Sequence, residues 1–172
     1  GDLRGVKELF NTTLKGQIDN FISIDGTGVH VTNVAVGSHR YRMTFKGPGG
    51  HSYGAFGLVS PAFAMGDAIA KFSRITVPAN PKTTFNVGVV RGGTSVNSIP
   101  TEMSMDVDMR SESPEALNTL VAGFQAVVRD AVTRENAARS TKEGKLAADV
   151  KLIGDRPSGE TPVHSPLVQS AT

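Results

Sequence analysis

Glu102-Met103-Ser104-Met105-Asp106-Val107-Asp108-Met109-Arg110 is the stretch on which the fold turns. Met103, Met105, Val107 and Met109 fall on one side of it, and polar or charged residues fall on the other. Successive side chains of a strand face opposite sides of a sheet, so this alternation predicts a strand with one buried and one wet face. Immediately after it, Ser113-Pro114-Glu115 opens a helix. Serine supplies a capping oxygen, and proline fits the first helical turn, where its missing N–H costs nothing. Leu117, Leu120, Val121, Phe124, Val127, Val128 and Ala131 recur at helical spacing and carry that helix to about Ala138.

Working outward, the same two periods repeat. Thr84 to Val90 reads as a strand ended by Gly92-Gly93. A helix is expected from about Leu58 to Phe72, with Phe63, Ala64, Ala68 and Phe72 as inward candidates, and Pro78 and Pro81 close that section. Tyr41, Met43 and Phe45 alternate with Arg42, Thr44 and Lys46 until Gly47-Pro48-Gly49-Gly50 breaks the strand. Downstream, a polar loop over Arg139 to Lys145 leads into a last strand, Leu146 to Ile153. From residue 39 to residue 153 the order is therefore βαββαβ. Two helices at this spacing cover one face of a four-stranded antiparallel sheet, which makes the chain an α+β protein of ferredoxin-like arrangement.

The ends read differently. Asp2 to Leu14 has the apolar spacing of a short helix capped by Asp2. Ile18 to Ile24 and Val29 to Val36 alternate as strands around Gly26-Thr27-Gly28. Gly154 to Thr172 contains three prolines and reads as a loop. The expected division is residues 1–37 as an N-terminal flank, 38–153 as the βαββαβ domain, and 154–172 as a C-terminal flank.

Composition narrows the function. The 172 residues are 38% hydrophobic and 20% charged, which suits one globular domain with a real core. A net charge of +2 gives no electrostatic case for nucleic acid. No apolar run is long enough for a membrane span. With no cysteine, disulfides and thiolate metal sites are excluded. That absence does not separate a cytoplasmic from a periplasmic protein.

Few residues have the arrangement that chemistry needs. The four histidines, His30, His39, His51 and His164, are scattered. Asp106 and Asp108 share one side of their strand and read as a solvated face. No zinc site is expected within the chain, since zinc needs three or four converging ligands. Gly47-Pro48-Gly49-Gly50-His51-Ser52 is more informative. Glycines permit a sharp turn, and a histidine after it can either donate to a substrate oxygen or serve as a surface residue of a β–α turn. Asn97, in the loop Gly92 to Pro100, offers both donor and acceptor, or simply forms the turn. Arg110 and Arg156 can each clamp a carboxylate through a planar fork, or stand as exposed strand-end and loop cations.

Together these stretches resemble the cocatalytic two-zinc peptidases and deacylases, the family of tripeptidase T, glutamate carboxypeptidase, acetylornithine deacetylase, succinyl-diaminopimelate desuccinylase and aminoacylase. Gly50-His51-Ser52 is similar to the lid histidine motif of that family. Val96-Asn97-Ser98-Ile99-Pro100 is similar to its Asn-x-Ile/Val-Pro loop, and Asp106-Val107-Asp108-Met109-Arg110 to its Asp-x-Arg strand. Gly1-Asp2-Leu3-Arg4-Gly5 resembles the segment that follows the catalytic Glu-Glu-Gly in some members. The resemblance implies a lid and dimerisation domain interrupting a catalytic domain that holds two zinc ions, with the flanks belonging to that catalytic domain. It implies a homodimer in which His51 reaches the partner's active site and hydrogen-bonds the scissile carbonyl oxygen. Asn97 and Arg110 are the implied substrate-binding residues for a peptide or N-acyl amino acid, and Arg156 is a further candidate. The chain itself, lacking the metal ligands, is expected to be inactive. Two other classes compete: a stand-alone ferredoxin-like module binding a ligand or RNA through sheet aromatics such as Tyr41, Phe45 and Phe85, and a purely structural association domain.

Overall fold

The computed structural model describes residues 3–24, 27–28 and 30–171. The proposed cap Asp2, and Gly26 and Val29 of the expected N-terminal hairpin, lie outside the described residues. The central domain is the βαββαβ unit. Strand β2 is Gly37–Lys46, preceded by a two-residue strand β1, Val34–Ala35, and followed by the short β3, Gly50–His51. Then come helix α2 (Pro61–Phe72), strand β4 (Thr83–Gly92), the short β5 (Ser98–Ile99), strand β6 (Glu102–Ser111), helix α3 (Pro114–Ala138) and strand β7 (Ala147–Arg156). Helix α1 (Arg4–Glu8) runs into a π-helical turn over Leu9–Thr13, and β8 (Gly159–Glu160) and helix α4 (Pro166–Ala171) end the chain.

The four long strands form one antiparallel sheet in the order β4-β6-β2-β7. That is the ferredoxin-like order, with the first and third long strands in the middle. The alternation of β6 does what its sequence dictates: Met105, Val107 and Met109 are buried, together with Met43 and Phe45 of β2. Both helices lie on that face. Ala64, Met65, Ala68 and Phe72 of α2 and Leu117, Leu120, Phe124, Val128 and Ala131 of α3 complete the core. The Phe72 ring packs between Phe85 at 4.6 Å and Phe124 at 4.8 Å.

Local chemistry sets the helix boundaries. Ser113 Oγ accepts from the Ala116 N–H at 3.2 Å, and Pro114 takes the first turn. Helix α2 begins at Pro61 rather than Leu58, and its first turn is tied to α3, because Glu135 accepts from the Ser60 N–H at 2.8 Å. The Asn136 amide bonds both the N–H and the C=O of Leu146, which closes the loop between α3 and β7.

Four expectations are corrected. Phe63 is 58% exposed instead of inward, with the Arg139 guanidinium 4.5 Å from its ring centre. Pro61, Ala64 and Met65 are buried around it, so position 63 falls on the outer side of the helix, where a cation lies over the ring. Ile18–Ile24 forms no strand, and of the second expected N-terminal strand only Val34–Ala35 is one among the described residues. An alternating sequence becomes a strand only where a neighbour takes its backbone hydrogen bonds, and here only β8 does so, for β1. The last long strand runs three residues beyond Ile153 to Arg156, past a bulge where Arg40 pairs with Gly154 and Tyr41 with Leu152. The tail after it contains β8 and α4 rather than loop alone. Among the described residues no helix is long and apolar enough to cross a membrane.

Candidate functional site

The glycine-rich stretch makes a tight corner between β2 and α2, and it needs its glycines. Gly49 and Gly50 have φ of 73° and 148°. A Cβ on Gly49 would meet Thr101 Cγ2 at 2.5 Å, and one on Gly50 would meet the Ala55 Cβ at 2.6 Å. Positive φ and lack of room both favour glycine there. The corner delivers His51 to an exposed position beside β5. Gly50 pairs with Ile99 and His51 with Ser98, and the Ser52 N–H donates to the Asn97 carbonyl at 2.9 Å. His51 and Asn97, nearly fifty residues apart in sequence, are thus neighbours.

Both side chains are oriented. His51 Nδ1 accepts from the main-chain N–H of Tyr53 at 3.3 Å and of Gly54 at 3.5 Å. A ring nitrogen that accepts carries no proton, so the ring N–H lies on Nε2, the nitrogen turned away from the turn. Ser95 Oγ donates to Asn97 Oδ1 at 2.5 Å, which leaves the amide NH2 as the group able to donate. A cavity of about 390 Å³ borders the corner, lined by Pro48, Gly49, Gly50 and Leu58 on one side and by Lys142 and Glu143 on the other.

Arg110 and Arg156 are elsewhere. Ser38 of β2 pairs with Arg110 of β6 on one side and with Arg156 of β7 on the other. The two arginines therefore flank one buried serine at the far end of the sheet. Arg110 lies eight residues along β6 from Glu102, the end nearest His51, about 26 Å at roughly 3.3 Å per strand residue. The four candidate residues form two pairs at opposite ends of the domain.

Asp106 and Asp108 lie on the open, solvent-facing side of the sheet, each between arginines. Asp106 receives two hydrogen bonds from Arg42, at 2.7 and 2.8 Å, and one from Arg91 at 3.0 Å. The hydrogen bonds from Arg42 come first in holding its carboxyl down to about 2; Arg91 helps, and burial opposes them. Asp108 lies between Arg40, 2.8 Å away, and Arg110, 2.6 Å away. Burial pushes its carboxyl up, but the two guanidinium groups more than offset this and bring it below the ordinary carboxylate range. Both aspartates thus act as fixed anions in an arginine lattice on the open face of the sheet. Glu135 was missed in the sequence. It is buried, pairs with Arg139 at 2.9 Å and anchors the start of α2. Its signal was a carboxylate at the inward helical spacing of Val128 and Ala131.

The competing RNA reading loses its platform in this geometry. Phe45 is fully buried, Phe85 packs on Phe72, and Tyr41 lies 6.4 Å from Phe124, so all three rings are on the helix-covered face.

Fold and corner together define an α+β domain of ferredoxin-like arrangement with an exposed histidine turn at one end of its sheet. More particularly, the chain belongs to the peptidase dimerisation domain family, whose profile matches residues 33–135. Similar solved structures include an aminopeptidase PepT from Bacillus cereus, 19% identical with a TM-score of 0.67, covering 86% of this chain and 37% of that one. An aminobenzoyl-glutamate utilization protein from Klebsiella pneumoniae is 22% identical with a TM-score of 0.66, over 82% of this chain and 35% of the other. A tripeptidase from Staphylococcus aureus is 22% identical with a TM-score of 0.62, over 80% and 34%. At these identities the likeness is one of fold. The chain spans about a third of the length of the structures it matches.

Proposed function

We propose that this chain is the lid and dimerisation domain of a zinc-dependent peptidase or deacylase, and that its His51 serves the active site of a second copy. One observation carries the reading: two main-chain N–H groups hold Nδ1 of the exposed His51, which leaves Nε2 as the nitrogen free to meet a substrate, on a turn whose main chain bonds the Asn97 loop. A preorganised donor of this kind stabilises the oxygen that becomes negative when water attacks a carbonyl. Arg110 and Arg156, at the other end of the sheet, hold the substrate carboxylate. Because the two pairs are a strand length apart, one small substrate can meet both only when they come from two copies of the chain, which favours a homodimer.

The flanks fit an inserted domain. Val34 and Ala35 pair with Glu160 and Gly159, so the chain enters and leaves the central unit side by side. Phe21, Ile22 and Ile24, on the N-terminal side, are exposed apolar residues that a catalytic domain would cover. The residues before β2 and after β7 are assigned to that domain. The zinc ions are assigned there too. Among the described residues, no three histidines, aspartates or glutamates are grouped to hold a metal.

The test is His51→Ala in the full-length enzyme. Losing one oxyanion donor costs about 100- to 1,000-fold in kcat, while folding and metal content stay normal. Mixing this variant with one lacking the general base of the catalytic domain should restore turnover, because the mixed dimer contains one complete site. Near-normal kcat in His51→Ala would reduce the histidine to a turn residue. A dead variant that mixing never rescues, despite proven subunit exchange, would return His51 to its own subunit.

A further inference from the structure

Arg110 does not stand alone at the end of β6. Its Nε donates to Asp108 Oδ2 at 2.6 Å, and the other oxygen of that carboxylate, Oδ1, accepts from Arg40 Nε at 2.8 Å. Asp108 lies two residues before Arg110 on β6, and Arg40 is its register partner on β2. Residues two apart on a strand share a face, and register partners are neighbours across it, so the three groups meet on the open side of the sheet. Arg40 is seated in turn. At the bulge between Arg40 and Tyr41, its side chain passes over Gly154 of β7, where an added Cβ would meet Arg40 Cδ at 3.2 Å and Cβ at 3.4 Å. The chain of support therefore runs from β7 through Arg40 and Asp108 to Arg110.

Two consequences follow for a carboxylate arriving at Arg110. The bond to Asp108 uses Nε, so the terminal nitrogens Nη1 and Nη2 remain as donors. A tethered guanidinium has already lost rotamer freedom that a free one would lose on binding. An aspartate beside the site would by itself repel a carboxylate, and Arg40 offsets that charge. Together the three groups carry one positive charge, the complement of one carboxylate.

We infer that Asp108 and Arg40 are positioning residues for Arg110: Asp108 fixes its guanidinium through Nε and leaves Nη1 and Nη2 to the substrate carboxylate, while Arg40 holds Asp108 and balances its charge. The inference rests on the carboxylate-binding role given to Arg110 above and adds two residues that act only through it.

The experiment measures kcat and KM of the full-length enzyme for trialanine and N-acetylmethionine and for their C-terminal amides. The acid-to-amide ratio of kcat/KM reads the carboxylate contact, because general damage to the fold lowers both substrates alike. Asp108→Asn keeps the size and one acceptor oxygen but loses the charge. Arg40→Met keeps the stem over Gly154 and loses the guanidinium. Each should lower the ratio by about tenfold, through the KM of the acids, and Arg40→Lys should lower it less. Arg110→Ala should abolish the preference for the acid, and adding Asp108→Asn or Arg40→Met to it should change the ratio no further. A ratio unchanged within about twofold in both single variants, while Arg110→Ala abolishes it, overturns the inference and leaves Arg110 its role. A higher ratio in Asp108→Asn overturns it too, because the aspartate would then only repel the substrate. So does a further fall when either change is added to Arg110→Ala, since that residue would act independently of Arg110. A preference that survives Arg110→Ala removes the role of Arg110 itself, and the inference with it.

Discussion

Replacing Asp106 by asparagine tests whether the open face of the sheet is held by charge. Asp106 is 16% exposed and accepts three hydrogen bonds from Arg42 and Arg91. Its carboxyl is lowered from 3.8 to about 2. That difference, at about 1.4 kcal/mol per unit, sets an upper bound of about 2.5 kcal/mol for the charged form. Arg42 and Arg91 are 43% and 54% exposed, so water screens them and the expected loss is about 1–2 kcal/mol. The sign follows from the depressed value. The stabilisation is complete above the unfolded-state value near 3.8 and is lost as the pH falls through about 2. Urea unfolding of the 172-residue chain and of Asp106→Asn should therefore differ by about 1–2 kcal/mol at neutral pH, with about half of that gap gone by about pH 3. A gap that stays constant from neutral pH to pH 3 would refute the reasoning, because it would mean shape and hydrogen bonding, not charge, make the difference.

Two further outcomes are expected. Arg110→Lys in the full-length enzyme should mainly raise KM, since a point charge replaces a two-pronged donor, while stability changes by less than about 1 kcal/mol; a large stability loss with normal KM would make Arg110 a structural partner of Asp108. Glu135→Ala should cost about 1–3 kcal/mol in denaturant unfolding, because it strands the buried Ser60 N–H, and an unchanged midpoint would show that water replaces the carboxylate there.

The histidine corner shows how far local reading reaches. Gly49, Gly50 and His51 are legible as a turn with a presented side chain because glycine content and position are local properties. What the ring does there is not local. The proton on Nε2 follows from two main-chain N–H groups that point at Nδ1 only once the turn has closed. Asn97 likewise looks like an ordinary loop residue until β5 pairs with β3 and brings it beside His51.

By itself the sequence determined the periodic elements. Met103, Met105, Val107 and Met109 commit β6 to one face, and Leu117 to Ala131 commit α3 to the same core, because strand and helix periods are written residue by residue. The βαββαβ order then leaves few arrangements open. Only the tertiary structure decided which ends of the strands meet, and so which candidate residues share a site. It put His51 with Asn97 and Arg110 with Arg156, and it separated the two pairs by the length of β6. It also decided which alternating segments become strands. Ile18–Ile24 alternates as well as β1 does, yet only β1 is a strand, because only β1 has a neighbour. A strand's backbone bonds are satisfied by other strands, so alternation proposes a strand and pairing alone makes one.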